Sequence, residues 1–363
     1  MRREWALAWA LGCSQDPAVA VTDGAVGDAQ DAPSGPTVQC PAPLGAPRER
    51  APPRPSGHPL DDALRLNHLQ AKATHNSYHL RSRFAVPEWD YAHAPLTTQL
   101  ESQGVRGIEL DPHWNVDCGR FEVYHVLRFD EETTCRLFTE CLEEVRRWSD
   151  AHPGHHPLFI QLEPKDGDAT TEARLLALER EALSVFPRAL VLTPDEVRGT
   201  SQTLREAVLS RGWPTLGAAR GRVLFYLNDS GAPRAAYTRG GTSLDGRLFF
   251  AEASSVEAPY AAVLILNGQV RERDAITAAV RQGFLVRTFA ETSLAAGRGG
   301  DRTGLESALS GGAHIVSTDF AAPEAPGGYV VEIPGGTPSR CNPVSAPSGC
   351  TSLAVEDPSR LGR

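Results

Sequence analysis

Between about residue 61 and residue 332, short apolar runs alternate with amphipathic stretches, and this alternation narrows the choice of architecture more than any other feature of the chain. Runs at 70–74, 104–110, 121–125, 157–163, 222–228, 247–253, 284–289 and 313–318 read as strands. Helical patterns are clearest at 138–151, 169–185 and 203–211; in the first, Leu142, Val145 and Trp148 recur at a spacing of three and form a core stripe. Strands separated by helices pair in parallel, and eight of them suffice to close an α/β fold of the TIM-type (β/α)8 barrel class. Such a barrel takes roughly 250 residues, so the 363-residue chain holds one barrel with flanking segments. The expected organisation is a signal segment at 1–13, a disordered linker at 14–60, the barrel at 61–332 and a disulfide-closed tail at 333–363. No internal repeat is visible.

Arg2 and Arg3 precede a short apolar run that ends in Leu11-Gly12-Cys13-Ser14. A small residue before cysteine allows cleavage and acylation of the thiol, so the segment predicts a lipoprotein signal. The following stretch, rich in Ala, Pro, Gly and Asp, has no hydrophobic period and reads as a tether. The chain has seven cysteines and none forms a CxxC pair. With Cys13 set aside an even number remains, as expected of disulfides in an oxidising compartment. Cys341 and Cys350 bound a short loop and are expected to pair, whereas the partners of Cys40, Cys118, Cys135 and Cys141 stay open. A secreted protein, or a lipoprotein on the outer-membrane or periplasmic side of a cell envelope, follows. No stretch after the signal reaches the ~20 apolar residues of a transmembrane helix. The net charge of −9 argues against nucleic-acid binding, which relies on clustered Lys and Arg. A monomer is expected.

Polar residues gather at the ends of the first four expected strands, the face on which barrel enzymes place their active sites. They are Thr74-His75-Asn76-Ser77-Tyr78, Ile108-Glu109-Leu110-Asp111, Val123-Tyr124-His125 and Gln161-Leu162-Glu163-Pro164-Lys165. Glu109 and Asp111 are two residues apart, so a strand points both to one side. Adding Glu163 would crowd three carboxylates into one place, which a proton or a cation must relieve. An all-oxygen shell that includes Asn76 suits calcium better than magnesium or zinc. His152, His155 and His156 precede the fourth strand and belong to the opposite, stability-related face. His79, His93 and His113 are near the rim without an assigned role.

The strings KATHNSYH, QLESQGVRGIELDPHW, FEVYH, CLEEVRRWSDAHPGHHPLFIQLEPKD, RVLFYLND and GAHIVSTDF, in this order from about Leu66 to Phe320, resemble the calcium-dependent bacterial phosphatidylinositol-specific phospholipases C. The resemblance implies a phospholipase C-like phosphodiesterase barrel that acts on a phospholipid at a membrane surface. It implies that Asn76, Glu109, Asp111 and Glu163 hold Ca2+, that His75 hydrogen-bonds the phosphate, and that His125 protonates the departing alkoxide. Chemistry agrees: attack by an inositol hydroxyl on a phosphodiester needs a base, a stabiliser of phosphoryl charge and an acid for the leaving oxygen. Glu109 is the natural base, with Asp111 as the alternative. Lys165 should point the same way as Glu163 and is assigned to phosphate or inositol; Arg287, ending the strand LVRTF, contacts phosphate or forms an ordinary salt bridge. Two rival readings are a glycerophosphodiesterase or sphingomyelinase D-like enzyme of the same fold, and a surface lipoprotein that binds inositol lipid without turnover. Glycerophosphodiesterases usually carry Arg where this chain has Asn76. The lipoprotein signal can be checked directly: Cys13→Ser should abolish palmitate labelling and release the protein from membranes, and equal labelling of both forms would remove the claim.

Overall fold

The computed structural model describes residues 40–45, 57–84, 86–324 and 327–362. Cys13, the signal segment and most of the linker lie outside the described residues. Eleven strands occur along the described chain. They are β1 (Leu69–Thr74), β2 (Val105–Leu110), β3 (Pro112–Asn115), β4 (Arg120–Val123), β5 (Leu158–Leu162), β6 (Val223–Leu227), β7 (Phe250–Ala251), β8 (Val263–Ile265), β9 (Leu285–Phe289), β10 (Ile315–Thr318) and β11 (Arg340–Cys341). Eight of them run parallel in the order β7-β6-β5-β2-β1-β10-β9-β8. The two ends meet at one parallel bridge, Glu252 with Val263, where the Ala253 amide donates to the Val263 carbonyl at 2.9 Å. The result is a nearly closed (β/α)8 barrel. Its strands β1, β2, β5 and β6 are buried at every position, as parallel strands covered on both faces must be.

One expected barrel strand is elsewhere. The segment expected at 121–125 forms β4 and pairs antiparallel with β3 in a hairpin outside the barrel, Pro112 opposite Val123 and Asn115 opposite Arg120. The physical reason is chain length: a parallel neighbour needs a crossover of a dozen or more residues, and β2 ends only a few residues before the hairpin begins. The vacant place is taken by β8, three residues within the run AAVLIL. The helix expected at 138–151 spans Phe138–Ala151, with Leu142, Val145 and Trp148 all buried. Between β1 and β2 the backbones approach so closely that a Cβ on Gly107 would stand 2.5 Å from the Cβ of Ala73. Glycine therefore sets the spacing two residues before Glu109.

The segment after residue 332 is joined to the barrel through β11, which pairs antiparallel with the start of β1, Leu69 opposite Cys341. Cys341 and Cys350 are bonded to each other, their Cα atoms 6.0 Å apart, and Cys135 pairs with Cys141. At the N-terminal ends of the strands the tail completes a buried ionic cluster. The Arg106 guanidinium donates from Nε to Glu356 Oε1 at 2.8 Å, and the His156 amide donates to Glu356 Oε2 at 3.2 Å. Arg220 donates to Asp61 at 2.8 Å and to the Val355 and Ala354 carbonyls at 2.9 and 3.0 Å. His155 and His156 are fully buried and face Ser149 and Ser339 at 2.8 and 2.7 Å, which makes them part of this packing as their position before β5 implied.

Burial alone would raise the Glu356 carboxyl, but Arg106 and His156 outweigh it and hold it down at about 2. A carboxyl depressed on folding contributes stability above its ordinary value and loses it as pH falls through the folded value, here between about 4.5 and 2. Glu356→Gln leaves Arg106 buried without its counter-charge and should cost about 3–5 kcal/mol in denaturant unfolding. It should also flatten the acid limb of the stability curve in that window. An unchanged denaturation midpoint would mean that the tail does not hold the barrel floor.

Candidate active site

β1 leaves the barrel through His75 and Asn76, and Asn76 adopts a left-handed backbone, φ 42°. Asparagine tolerates that conformation better than most residues, so one residue both turns the chain and presents an amide. The turn is pinned from below: the His75 amide donates to the Thr318 carbonyl at 3.1 Å, the Ser77 amide to the Glu109 carbonyl at 3.0 Å, and the Glu109 amide to Ser77 Oγ at 2.8 Å. Gln99 braces the same loop, donating to the Ser77 and Ala94 carbonyls at 2.6 Å each. Glu109 lies within β2, with Asp111 just beyond its end, and Glu163 follows β5, its amide donating to the Leu110 carbonyl at 3.0 Å.

These positions bring Glu109, Asp111 and Glu163 together, with one carboxylate oxygen of each within 4.8 Å of the others. All three are buried. Arg287 donates to Glu109 Oε2 at 2.8 Å, and Lys165 Nζ stands 2.6 Å from Glu163 Oε1 and 3.2 Å from Asp111 Oδ2. Burial pushes Glu109 up despite Arg287, and pushes Asp111 up to about 6 against the pull of Lys165. Glu163 goes the other way, because its contact with Lys165 outweighs burial. Asn228 Nδ2 also donates to Glu163, at 2.6 Å. Neither oxygen of Asp111 has a well-formed hydrogen bond although the residue is fully buried. A buried carboxylate left in that condition is costly, and a bound hard cation would relieve it. The Asn76 amide nitrogen donates to the Tyr91 hydroxyl at 3.0 Å, leaving its oxygen as the end available to an ion. The residues present thus fit calcium.

Each of the two expected histidines is backed by a carboxylate. His75 Nδ1 is 2.9 Å from Asp319 Oδ1, and His93 Nε2 is 2.8 Å from the His75 carbonyl. Burial lowers the His75 pKa, but Asp319 and Glu109 more than reverse this and raise it to about 9. His125 Nδ1 is 2.8 Å from Asp130 Oδ2, which His79 Nε2 also approaches at 2.9 Å. Bonds from the two imidazoles hold Asp130 below its ordinary value although burial opposes them. An ionised carboxylate only accepts, so His125 carries its proton on Nδ1 toward Asp130 and keeps Nε2 for chemistry. His75 is near enough to Glu109, and His125 to Asp111, for each to pull down that carboxyl's pKa. The two imidazoles come from separate elements, His75 directly after β1 and His125 shortly after β4.

A sequence profile of the phosphoinositide phospholipase C, Ca2+-dependent, family matches residues 119–343, more than half of the chain. The chain belongs to this family. No curated protein sequence matches it. Among solved structures, the calcium-dependent phosphatidylinositol-specific phospholipase C of Streptomyces antibioticus is 18% identical with a TM-score of 0.54, over 71% of this chain and 96% of that one. The calcium-dependent phosphoinositol-specific phospholipase C of a Gram-negative Pseudomonas sp., in an apo crystal form and as a myoinositol complex, is 20% identical with a TM-score of 0.55, over 79% of this chain and 99% of that one. At these identities the likeness is one of fold. As a member of the Ca2+-dependent phospholipase C family, the protein is a phosphodiesterase.

Around this cluster the structure adds residues that the sequence reading passed over. Asp319 follows β10 directly, so the rule that located His75 and Glu163 at strand ends would have found it too. Asp130 lies in an irregular loop and carries no such signal. Of the unassigned histidines, His79 and His93 support Asp130 and the His75 carbonyl, while His113 stacks on Tyr124 with ring centroids 3.7 Å apart. Arg287 is in a salt bridge: its guanidinium is 2% exposed and donates to Asn267, Glu109 and Ser317. Removing the Asp319 charge should let burial dominate at His75. In Asp319→Asn without calcium, NMR titration should therefore move the His75 midpoint down from the alkaline range, and an unmoved midpoint would show that Asp319 does not govern it.

Proposed function

We propose that the protein cleaves phosphatidylinositol, or a related inositol phosphodiester, by attack of an inositol hydroxyl on phosphorus with a diacylglycerol-type alcohol as leaving group. The observation that carries this reading is the pairing of two carboxylate-backed histidines with a buried three-carboxylate cluster. In it, Asn76, Glu109, Asp111 and Glu163 hold calcium. Calcium bound there would neutralise charge on the phosphoryl oxygens and acidify the attacking hydroxyl. Glu109 accepts the hydroxyl proton, Arg287 fixes its carboxylate in place, and His75, held protonated at neutral pH by Asp319, donates to a phosphoryl oxygen. His125, its Nδ1–H anchored on Asp130, enters this step as the imidazolium and passes its Nε2 proton to the departing alkoxide, leaving the neutral imidazole. Lys165 contacts the phosphate or the inositol ring.

A phospholipid substrate also needs an interfacial surface. Leu80, Phe84, Leu127 and Phe129, in the loops that carry Asp130 and follow His75, are exposed by 36%, 41%, 54% and 56%. The rings of Phe84 and Phe129 lie 5.9 Å apart. Exposed apolar residues beside the acid-donating histidine suit a bilayer or micelle surface. Among the described residues no helix is long and apolar enough to cross a membrane. The disulfides suit a secreted or envelope setting, with the Cys13 lipid as the proposed anchor.

The decisive measurement is turnover of phosphatidylinositol with product identification. Inositol phosphate, formed only with calcium, supports the reading; free choline or glycerol phosphate from the corresponding diesters would replace it. His125→Ala should lose about 10²- to 10⁴-fold on an ordinary lipid, the usual contribution of a general acid. A nitrophenyl ester needs little protonation and should recover much of that loss. Equal loss on both leaving groups, or an undiminished wild-type rate after chelation, would contradict these assignments.

A further inference from the structure

Two cations serve the acidic cluster, and they are held very differently. Arg287 is planted in the barrel interior with 2% of its side chain exposed and donates to three separate residues. Lys165 reaches in from the rim, 20% exposed, and places its ammonium 2.6 Å from Glu163 and 3.2 Å from the fully buried Asp111. That ammonium therefore stands among the oxygens that a calcium ion would bind at about 2.3–2.6 Å. A divalent ion bonded to Asp111 and Glu163 cannot share that space with it, since the two positive charges would sit within a few ångströms of one another. Calcium must displace the lysine. A four-carbon stem with an exposed flank allows this, whereas the rigid, triply bonded guanidinium of Arg287 does not move aside.

We propose that Lys165 is an internal cation that occupies the acidic cluster until calcium arrives, and that its release delivers the ammonium to the anionic group of the substrate. The proposal rests on the functional reading above and deepens it. Two consequences follow. The lysine competes with calcium and sets the concentration at which the site fills. Calcium and the substrate's anion also become coupled, because calcium frees the charge that the anion uses; by linkage, the anion must raise calcium affinity by the same factor.

Calcium binding to the full-length protein, measured by calorimetry, tests the first consequence, with inositol 1-phosphate as the anion probe for the second. Lys165→Met should bind calcium more tightly, within the roughly 5- to 150-fold range of ordinary coupling between sites. In the same variant, the affinity for inositol 1-phosphate should rise less on addition of calcium than it does in the wild type, because only the direct attraction of calcium for the phosphate remains. Lys165→Arg keeps the charge and should stay close to the wild type in calcium affinity, and the melting temperatures of the three proteins show that each is folded. A lysine that merely props the carboxylates in position would give the opposite result, weaker calcium binding in the Met variant. That result, or an unchanged affinity, overturns the proposal. A wild type that takes up no calcium would remove the functional reading as well, whereas calcium bound equally by wild type and Met variant removes this inference alone.

Discussion

Three carboxylates buried within 4.8 Å of one another are the constraint around which the rest of this protein is arranged. Like charges in a site of low dielectric repel strongly, and burial alone pushes each carboxyl toward its neutral form. The barrel answers with a cation drawn from across its interior. β2 and β9 are separated in the sheet by β1 and β10, so on a flat sheet Glu109 and Arg287 would be three strand spacings apart, about 14 Å. Their 2.8 Å contact exists because the sheet curls on itself. Closure and electrostatics are thus one problem: a barrel left open between β7 and β8 would relax the curvature that brings Arg287 to Glu109.

Both histidines are in turn steered by carboxylates, one far away in the chain and one only five residues on. Asp319 is 244 residues from His75 and reaches it because β10 is the neighbour of β1 in the barrel. Asp130 arrives by another route, on the loop behind the β3–β4 hairpin, where it takes bonds from His125 and His79 on a single oxygen. The two pairs suit different tasks. His75 is 19% exposed in its side chain and is raised to about 9 beside Glu109, a setting for a fixed positive charge. His125 is equally exposed and has Nε2 directed away from its carboxylate, a setting for a group that passes a proton.

The barrel was legible because its strands end in chemistry: Thr74-His75-Asn76, Glu109-Leu110-Asp111 and Glu163-Pro164-Lys165 stand where apolar runs stop. Period and polarity there agree, so both the fold class and the carboxylate cluster could be read from the chain. The hairpin was not, since Phe121–His125 is apolar enough for a barrel strand and only the short connection to β2 excludes it. β8 was missed for the opposite reason: three residues carry no period, and its identity comes from pairing with β9 and from the single bridge at Glu252. Asp130 could not be singled out because nothing in an irregular loop marks which acid will meet a histidine.

The opposite ends of the barrel separate structure from chemistry by a physical criterion. At the N-terminal end, Glu356 meets Arg106 and Asp61 meets Arg220, and the guanidiniums that remain over are taken up by backbone carbonyls. Every charge there has a fixed partner, and the depressed Glu356 carboxyl is the mark of a site already satisfied by folding. At the C-terminal end, three acids face one planted guanidinium and one ammonium from the rim, Asp111 lacks a well-formed hydrogen bond, and its carboxyl is raised to about 6. Folding has left that end electrostatically incomplete. A protein under selection for stability alone would fill such a place with fully matched or apolar residues, because three buried carboxylates sharing two close cations are not fully compensated. Beside two carboxylate-oriented histidines, such a place suits completion by ligands: a cation for the carboxylates, and an anion for the ammonium and the imidazolium.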